Sequence, residues 1–112
     1  MDRAEAYYDD ALRAIGLIEA FLEQGKVTSI SDYRKHDLVK SAVERQLGII
    51  GEAVNNIRKL DSAHMIPEAD RIVSFRNRLI HSYETIEDEF VWPILMKHLP
   101  LLKEAIMRRK QP

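Results

Sequence analysis

Apolar residues recur along most of this chain at steps of three and four, the period of one helical face. Between Arg3 and Gln24 the stripe is Tyr8, Ala11, Ile15, Ile18 and Leu22, broadened by Leu12 and Phe21. Gly25 follows as the expected stop, in the left-handed cap that glycine takes without strain. A short polar linker runs from Lys26 to Ser31. The second stretch is expected from about Asp32 to Leu60, with Ser31 or Asp32 capping its first amides. Its seam is Val43, Leu47, Ile50, Val54 and Ile57, in the four-three spacing of a helical bundle.

Asp61 to Ile66 reads as a connection, and Pro67 suits the first turn of a third helix reaching about Ser82, where its missing N–H costs least. Thr85 offers a cap to the last stretch, Ile86 to Arg109, with Asp88 completing an imperfect capping box. Val91, Ile94, Leu95, Leu99, Leu102 and Ile106 should face inward there, and Pro93 and Pro100 should bend or split the helix. No alternating strand pattern and no repeat is visible. The architecture expected is all-α, an antiparallel bundle of four to five helices.

Two glycines interrupt the long helix, Gly48 and Gly51. Each costs about 1 kcal/mol relative to alanine in a helix interior. The pair points to another backbone packed closely, either within the chain or across a dimer.

A length of 112 residues is too short for two independent cores, so residues 1–112 are expected to form one domain. With no cysteine, disulfides and thiolate chemistry are excluded, which fits a cytoplasmic location. No signal peptide and no membrane span is visible. Seventeen Lys and Arg against eighteen Asp and Glu give a formal charge of −1, which argues against coating nucleic acid by bulk charge but leaves room for a local basic cleft. Arg108-Arg109-Lys110 is the one cationic cluster, read as a solvated tail.

Candidate chemistry gathers in Arg76-Asn77-Arg78-Leu79-Ile80-His81-Ser82-Tyr83. With Ile72 at zero on an ideal helix, Arg76 lies at about +40° and Tyr83 at about +20°, inside the arc of Ile72, Val73, Phe75, Leu79 and Ile80. A guanidinium there must be paired or lie at a wet cleft. Asn77 and His81 fall opposite, one turn apart. His36, His64 and His98 are single and without metal-ligand spacing, so each is expected as a surface or cap residue. Glu44 and Glu52 roughly share a face but lack a Glu-x-x-His companion; Glu52 is expected instead to pair with an arginine near the cleft. Trp92 is expected in a core or interface.

Arg76-Asn77-x-x-x-His81-x-Tyr83 resembles the signature of the HEPN superfamily, and the tyrosine two after the histidine resembles its HepT-like toxin branch. Ala42-Val43-Glu44-Arg45, Ile50-Gly51-Glu52-Ala53 and Ile86-x-x-x-x-Val91-Trp92 stand where that family has similar segments, so the likeness covers about residues 5 to 105. One departure is Ile66 to Asp70, where many relatives carry a tryptophan. The resemblance implies a homodimeric, metal-independent endoribonuclease that needs no cofactor and acts on RNA. His81 is then the acid or base, Arg76 the transition-state cation and Asn77 a support. It also implies a toxin of a type VII-like toxin–antitoxin system, neutralised by a minimal nucleotidyltransferase antitoxin that attaches AMP to Tyr83. Arg76 and His81 stand about 140° apart, so either the helix loosens near Ser82 or two copies complete one site across a two-fold axis, and the second is favoured. The alternatives are a non-catalytic, nucleotide- or substrate-binding subunit of a two-component nucleotidyltransferase, and a purely structural dimer.

Overall fold

The computed structural model describes residues 3–60, 69–81 and 87–110, with the helical backbone alone for 78–81. All regular structure among them is helical: α1 Arg3–Gln24, α2 Ile30–Lys35, α3 Asp37–Leu60, α4 Ala69–His81, α5 Asp88–Pro93, a π turn Ile94–His98 and α6 Leu99–Lys110. The last three run on as one bent rod, giving five rods among the described residues.

α1 buries Tyr8, Ala11, Ile15 and Ile18 as its period requires, with Ala4 and Ala14 beside them and Leu22 at the edge. Its end differs from expectation. The left-handed residue is Lys26, with φ 56°, and no glycine has positive φ. Lys26 N–H donates to Glu23 O (3.1 Å) and Val27 N–H to Leu22 O (2.9 Å), the bond pair of a Schellman cap one residue later than Gly25 would place it. Gly25 serves packing instead, because a Cβ there would stand 2.7 Å from Val39 Cγ2 and 3.1 Å from His36 Nε2. Val27, inside the expected polar linker, is buried as the apolar residue that commonly accompanies this cap.

The expected second stretch is two helices. Ser29, rather than Ser31 or Asp32, caps α2 by accepting from Asp32 N–H (3.1 Å). The Asp32 carboxylate accepts in return from Thr28 N–H (3.0 Å) and its hydroxyl (3.1 Å). These bonds hold the Asp32 carboxyl below the ordinary carboxylate range, the Thr28 amide contributing most. His36 makes the break, at φ −109° and ψ 82°. Its N–H donates to Tyr33 O, and its Nδ1 accepts from Val39 N–H (3.3 Å). One residue thus closes α2 through its backbone N–H and caps α3 through its side chain.

Charged pairs between helices establish an antiparallel arrangement. Lys110 meets Asp9, and Lys103 meets Glu19 at 3.1 Å, so α6 runs against α1. Arg58 meets Asp70 at 2.7 Å, and Arg76 meets Glu52 at 2.5 Å, so α4 runs against α3. The beginning of α3 packs at the end of α1, through Val39 and His36 at Gly25. Inside this ring Val43, Leu47, Ile50, Val54 and Ile57 are buried, facing Ile72 and Phe75 of α4 and the inward stripe Val91, Ile94, Leu95, Leu99, Leu102 and Ile106. Each large aliphatic or aromatic side chain so buried contributes about 1.5–3 kcal/mol.

Pro93 closes α5, and in the π turn after it Leu99 N–H reaches back to Ile94 O. Pro100 is the second residue of α6, directly after the π turn, so the ladder of the rod lacks a donor there. His98 is a correction: it is 5 % exposed, because positions 91, 94, 95, 98 and 99 share the inward face of the rod. Trp92 is half-buried against Tyr33, ring centroids 5.7 Å apart. Arg108, Arg109 and Lys110 are exposed, as expected of a solvated tail, and Arg108 and Lys110 pair there with Glu104 and Asp9. Pro67 and Thr85 lie outside the described residues, and Glu87 is the N-cap residue of α5 without a side-chain cap bond.

Candidate active site

α4 is amphipathic in the expected sense: Ile72, Val73 and Phe75 are buried while Asn77 is exposed. Arg76 lies between these faces, its side chain about a quarter exposed at 24 %. Its Nη2 is 2.5 Å from Glu52 Oε2 on α3, and its Nη1 donates to Asn77 Oδ1 at 3.3 Å. Glu52 therefore makes the pair expected from its place in the sequence. Arg76 Nε is buried and makes no hydrogen bond; capacity for an anion lies in the terminal nitrogens, each of which carries a second N–H beyond its contact with Glu52 or Asn77.

Gly51 makes this placement possible. A Cβ at 51 would overlap Cβ of Arg76, lie 3.1 Å from its Cγ and sit 3.2 Å from Ile72 O. Gly51 admits the α4 backbone, and the next residue supplies the counter-charge. The close-packing glycine and the arginine on an apolar face, both readable as signs of a dimer, are thus accommodated at Gly51 and Arg76 within one chain. Gly48 lines a shallow groove of about 300 Å³ with Tyr7, Asp10, Ile49 and Glu52, on the outer side of the α1–α3 contact.

The structure brings Arg76, Asn77 and Glu52 together. His81 is the last residue of α4, about 6 Å along the axis from Asn77 at 1.5 Å per residue. Its side chain and the whole of Tyr83 lie outside the described residues.

A charged junction borders the start of α5. Lys40 Nζ is 3.1 Å from the Asp88 carboxylate, both side chains largely buried, and Arg34 pairs with Glu89. Burial raises the Glu44 carboxyl above its ordinary range; Lys40 opposes this and the like charge of Asp88 adds to it. Burial, then Glu44 and Asp88, push the fully enclosed Tyr33 phenol upward as well. Sequence reading missed this cluster because its members come from three helices, and pairing across helices leaves no spacing to read.

A profile described as ribonuclease HepT-like matches residues 11–109. The chain belongs to the HepT-like family. Among HepT-like relatives, a proposed RNase of Caldanaerobacter subterraneus subsp. tengcongensis is 32 % identical over 89 residues, covering 79 % of this chain and 80 % of that protein. A protein of Thermococcus cleftensis, assigned by its name as a ribonuclease HepT, is 32 % identical over 99 residues, 87 % of this chain and 86 % of its own. A proposed RNase of Methanocaldococcus jannaschii is 30 % identical over 87 residues, 76 % and 79 % of the two chains. No solved structure gives a significant match. HepT-like membership supports the HEPN resemblance drawn from Arg76 to Tyr83, and the all-helical fold agrees with it. Among the described residues no helix is long and apolar enough to cross a membrane.

Proposed function

We propose that this chain is a single HEPN-like domain acting as an endoribonuclease toxin. The observation that carries the reading is Arg76, held partly exposed between Glu52 and Asn77 in a chain of the HepT-like family. The names of the relatives support RNA as the substrate. In the reaction His81 removes the 2′-hydroxyl proton, the 2′-oxygen attacks the adjacent phosphorus to close a 2′,3′-cyclic phosphate, and the P–O5′ bond breaks as the protonated imidazole returns a proton to the leaving 5′-oxygen. Arg76 stabilises the charge that builds on the phosphoryl oxygens, while Asn77 orients Arg76 or the phosphate. DNA has no 2′-hydroxyl and is not cleaved.

The functional unit is a homodimer, and the outer face of α3 around Gly48, Ile49 and Glu52 is the surface suited to a second copy, since it adjoins Arg76 and carries the half-exposed Ile49. A minimal nucleotidyltransferase antitoxin neutralises the protein by transferring the adenylyl group of ATP to the Tyr83 hydroxyl, releasing pyrophosphate. The added negative charge then blocks RNA entry beside Arg76. The protein acts in the cytoplasm.

Growth on induced expression, together with cleavage of total RNA by the purified protein, tests this reading. Wild type is expected to be toxic and to cleave, whereas folded His81→Ala and Arg76→Ala are harmless and inactive. Equal toxicity of all three would overturn it. Sedimentation as a monomer at working concentration would remove the dimer, and an unchanged intact mass after incubation with the antitoxin and ATP would remove the modification.

A further inference from the structure

A second concavity lies on the polar side of α4, toward its N-terminus. Asp70, Arg71 and Ser74 face Glu89, Phe90 and Pro93 of α5 and Ile94 and His98 of the π turn across a space of about 400 Å³. That volume is at the lower end of the range for small-molecule sites. The walls differ in chemistry. Phe90, Pro93 and Ile94 form an apolar side, and Phe90 is held by stacking on the buried Phe75, centroids 5.9 Å apart and planes 9° from parallel. A hydroxyl, two carboxylates, a guanidinium and the nearly buried imidazole of His98 supply hydrogen-bonding groups. Each carboxylate also carries a cation: Asp70 has Arg58 at 2.7 Å, and Glu89 has Arg34. The rim is therefore close to neutral and does not repel a phosphodiester chain. The π turn contributes both Ile94 and His98, and such turns occur frequently where a helix serves a site.

Position connects this groove to the candidate active site. Residues 70, 74, 77 and 81 follow one another at steps of four, three and four, so they form one stripe along α4. Ser74 stands about 10 Å along the axis from position 81 and about 5 Å from Asn77, at 1.5 Å per residue. Arg76 itself points toward α3, but its Nη1 donates to Asn77, which stands on this stripe, so a strand whose phosphate meets Asn77 runs along the stripe toward the groove.

We propose that this groove holds one base of the RNA strand next to the cleaved bond and prefers a base with an exocyclic amino group. The proposal rests on the RNA-cleaving reading above and adds where the substrate is read. Bases stack on aromatic side chains irrespective of sequence, which Phe90 provides. Carboxylates accept from amino groups such as that of cytosine, so Asp70 and Glu89 favour adenine, cytosine or guanine over uracil, which has no amino group.

The test uses the full isotopically labelled chain and 2′-O-methyl heptamers of adenosine, cytidine or uridine, which lack the attacking hydroxyl. Amide shifts are expected to cluster at Ser74, Phe90, Ile94 and His98, with the adenosine and cytidine strands binding about tenfold tighter than the uridine strand. Ser74→Trp, placed at an exposed position, fills the groove; it should weaken binding of the preferred strands about tenfold and erase the base preference. Arg71→Glu provides a second variant, and circular dichroism confirms that both fold. Unchanged affinity and preference in both variants, shifts confined elsewhere, or no binding by any strand would overturn the groove. All-ribose strands in parallel separate the two ideas. Cleavage without groove shifts removes only the groove, whereas groove binding without cleavage removes the nuclease reading and leaves an RNA-base site.

Discussion

Lys26 holds the left-handed backbone conformation that ends α1, a conformation a side chain adopts at a cost of about 1–2 kcal/mol. Both Schellman bonds form, so the cap is worth more than this strain. Lys26→Gly is expected to raise stability by about 0.5–1 kcal/mol, because part of the relief is returned as entropy of the unfolded chain. A fall in the urea midpoint would show that the lysine side chain contributes something its position does not reveal. Arg76 presents a different constraint. Its fork makes contact with Glu52 and Asn77 together, and a lysine ammonium cannot reproduce that planar arrangement. Arg76→Lys is expected to lower RNA cleavage about a hundredfold, the scale of losing an oriented donor at developing charge. Glu52→Gln, which keeps a hydrogen-bond acceptor, should cost about tenfold. The reverse order, measured as kcat/KM on one RNA, would make Glu52 the more important partner.

Between elements, contact is decided by how closely two backbones approach. At Gly51 a Cβ meets Cβ of Arg76 and a carbonyl of α4, neither at the far end of a flexible chain, while at Gly16 it meets nothing within 4 Å. Both glycines are helical, so alanine gains about 1 kcal/mol of propensity at each. Gly16→Ala should keep that gain. Gly51→Ala should lose it to overlap and destabilise by about 1–3 kcal/mol, lowering Tm by roughly 5–15 °C. Thermal melts of the two variants check the contrast, and equal shifts would dissolve it. The same comparison explains what was legible beforehand. Five seam positions of α3 and six of the last rod follow a simple period and were readable, and so were Gly51 as a close-packing point and Glu52 as a partner for arginine. The break at His36 was not, because the Val39 amide is capped by an imidazole, a group outside the usual capping residues. His98 was misread because it was judged as an isolated histidine although it shares the stripe of Leu95 and Leu102. The groove beside Ser74 could have been found from the 70–74–77–81 stripe, but its second wall required the fold.

For the molecule as a whole, most interhelical ion pairs sit at partly or fully exposed side chains, where each contributes about 0–1 kcal/mol and salt screens it. The junction of α2, α3 and α5 is the exception, since Lys40 and Asp88 are 20 % and 14 % exposed there and Glu44 lies half-buried beside them. The direction of the Glu44 shift sets the pH response. Burial raises its pKa above the ordinary 4.5, so the folded chain keeps this proton to a higher pH than the unfolded chain does. Stability therefore rises as pH falls from neutrality through the native pKa toward 4.5, and the charged form is the costly one at pH 7. Asp32 and Glu89 act in the opposite sense: backbone and side-chain hydrogen bonds hold their pKa values low, so what they contribute is complete at neutral pH and lost only in stronger acid. The expected profile has its maximum on the mildly acidic side of neutrality, with a fall below the ordinary carboxylate range. Glu44→Gln removes the proton and the charge together while keeping the side chain's size. Urea midpoints measured from pH 7 down to pH 4 should show this variant more stable than wild type at pH 7, with the advantage shrinking as Glu44 protonates in the wild type. If the two profiles ran parallel throughout, Glu44 would titrate alike in the folded and unfolded chains, and the junction would be held by the Lys40–Asp88 and Arg34–Glu89 pairs and the Tyr33–Trp92 contact.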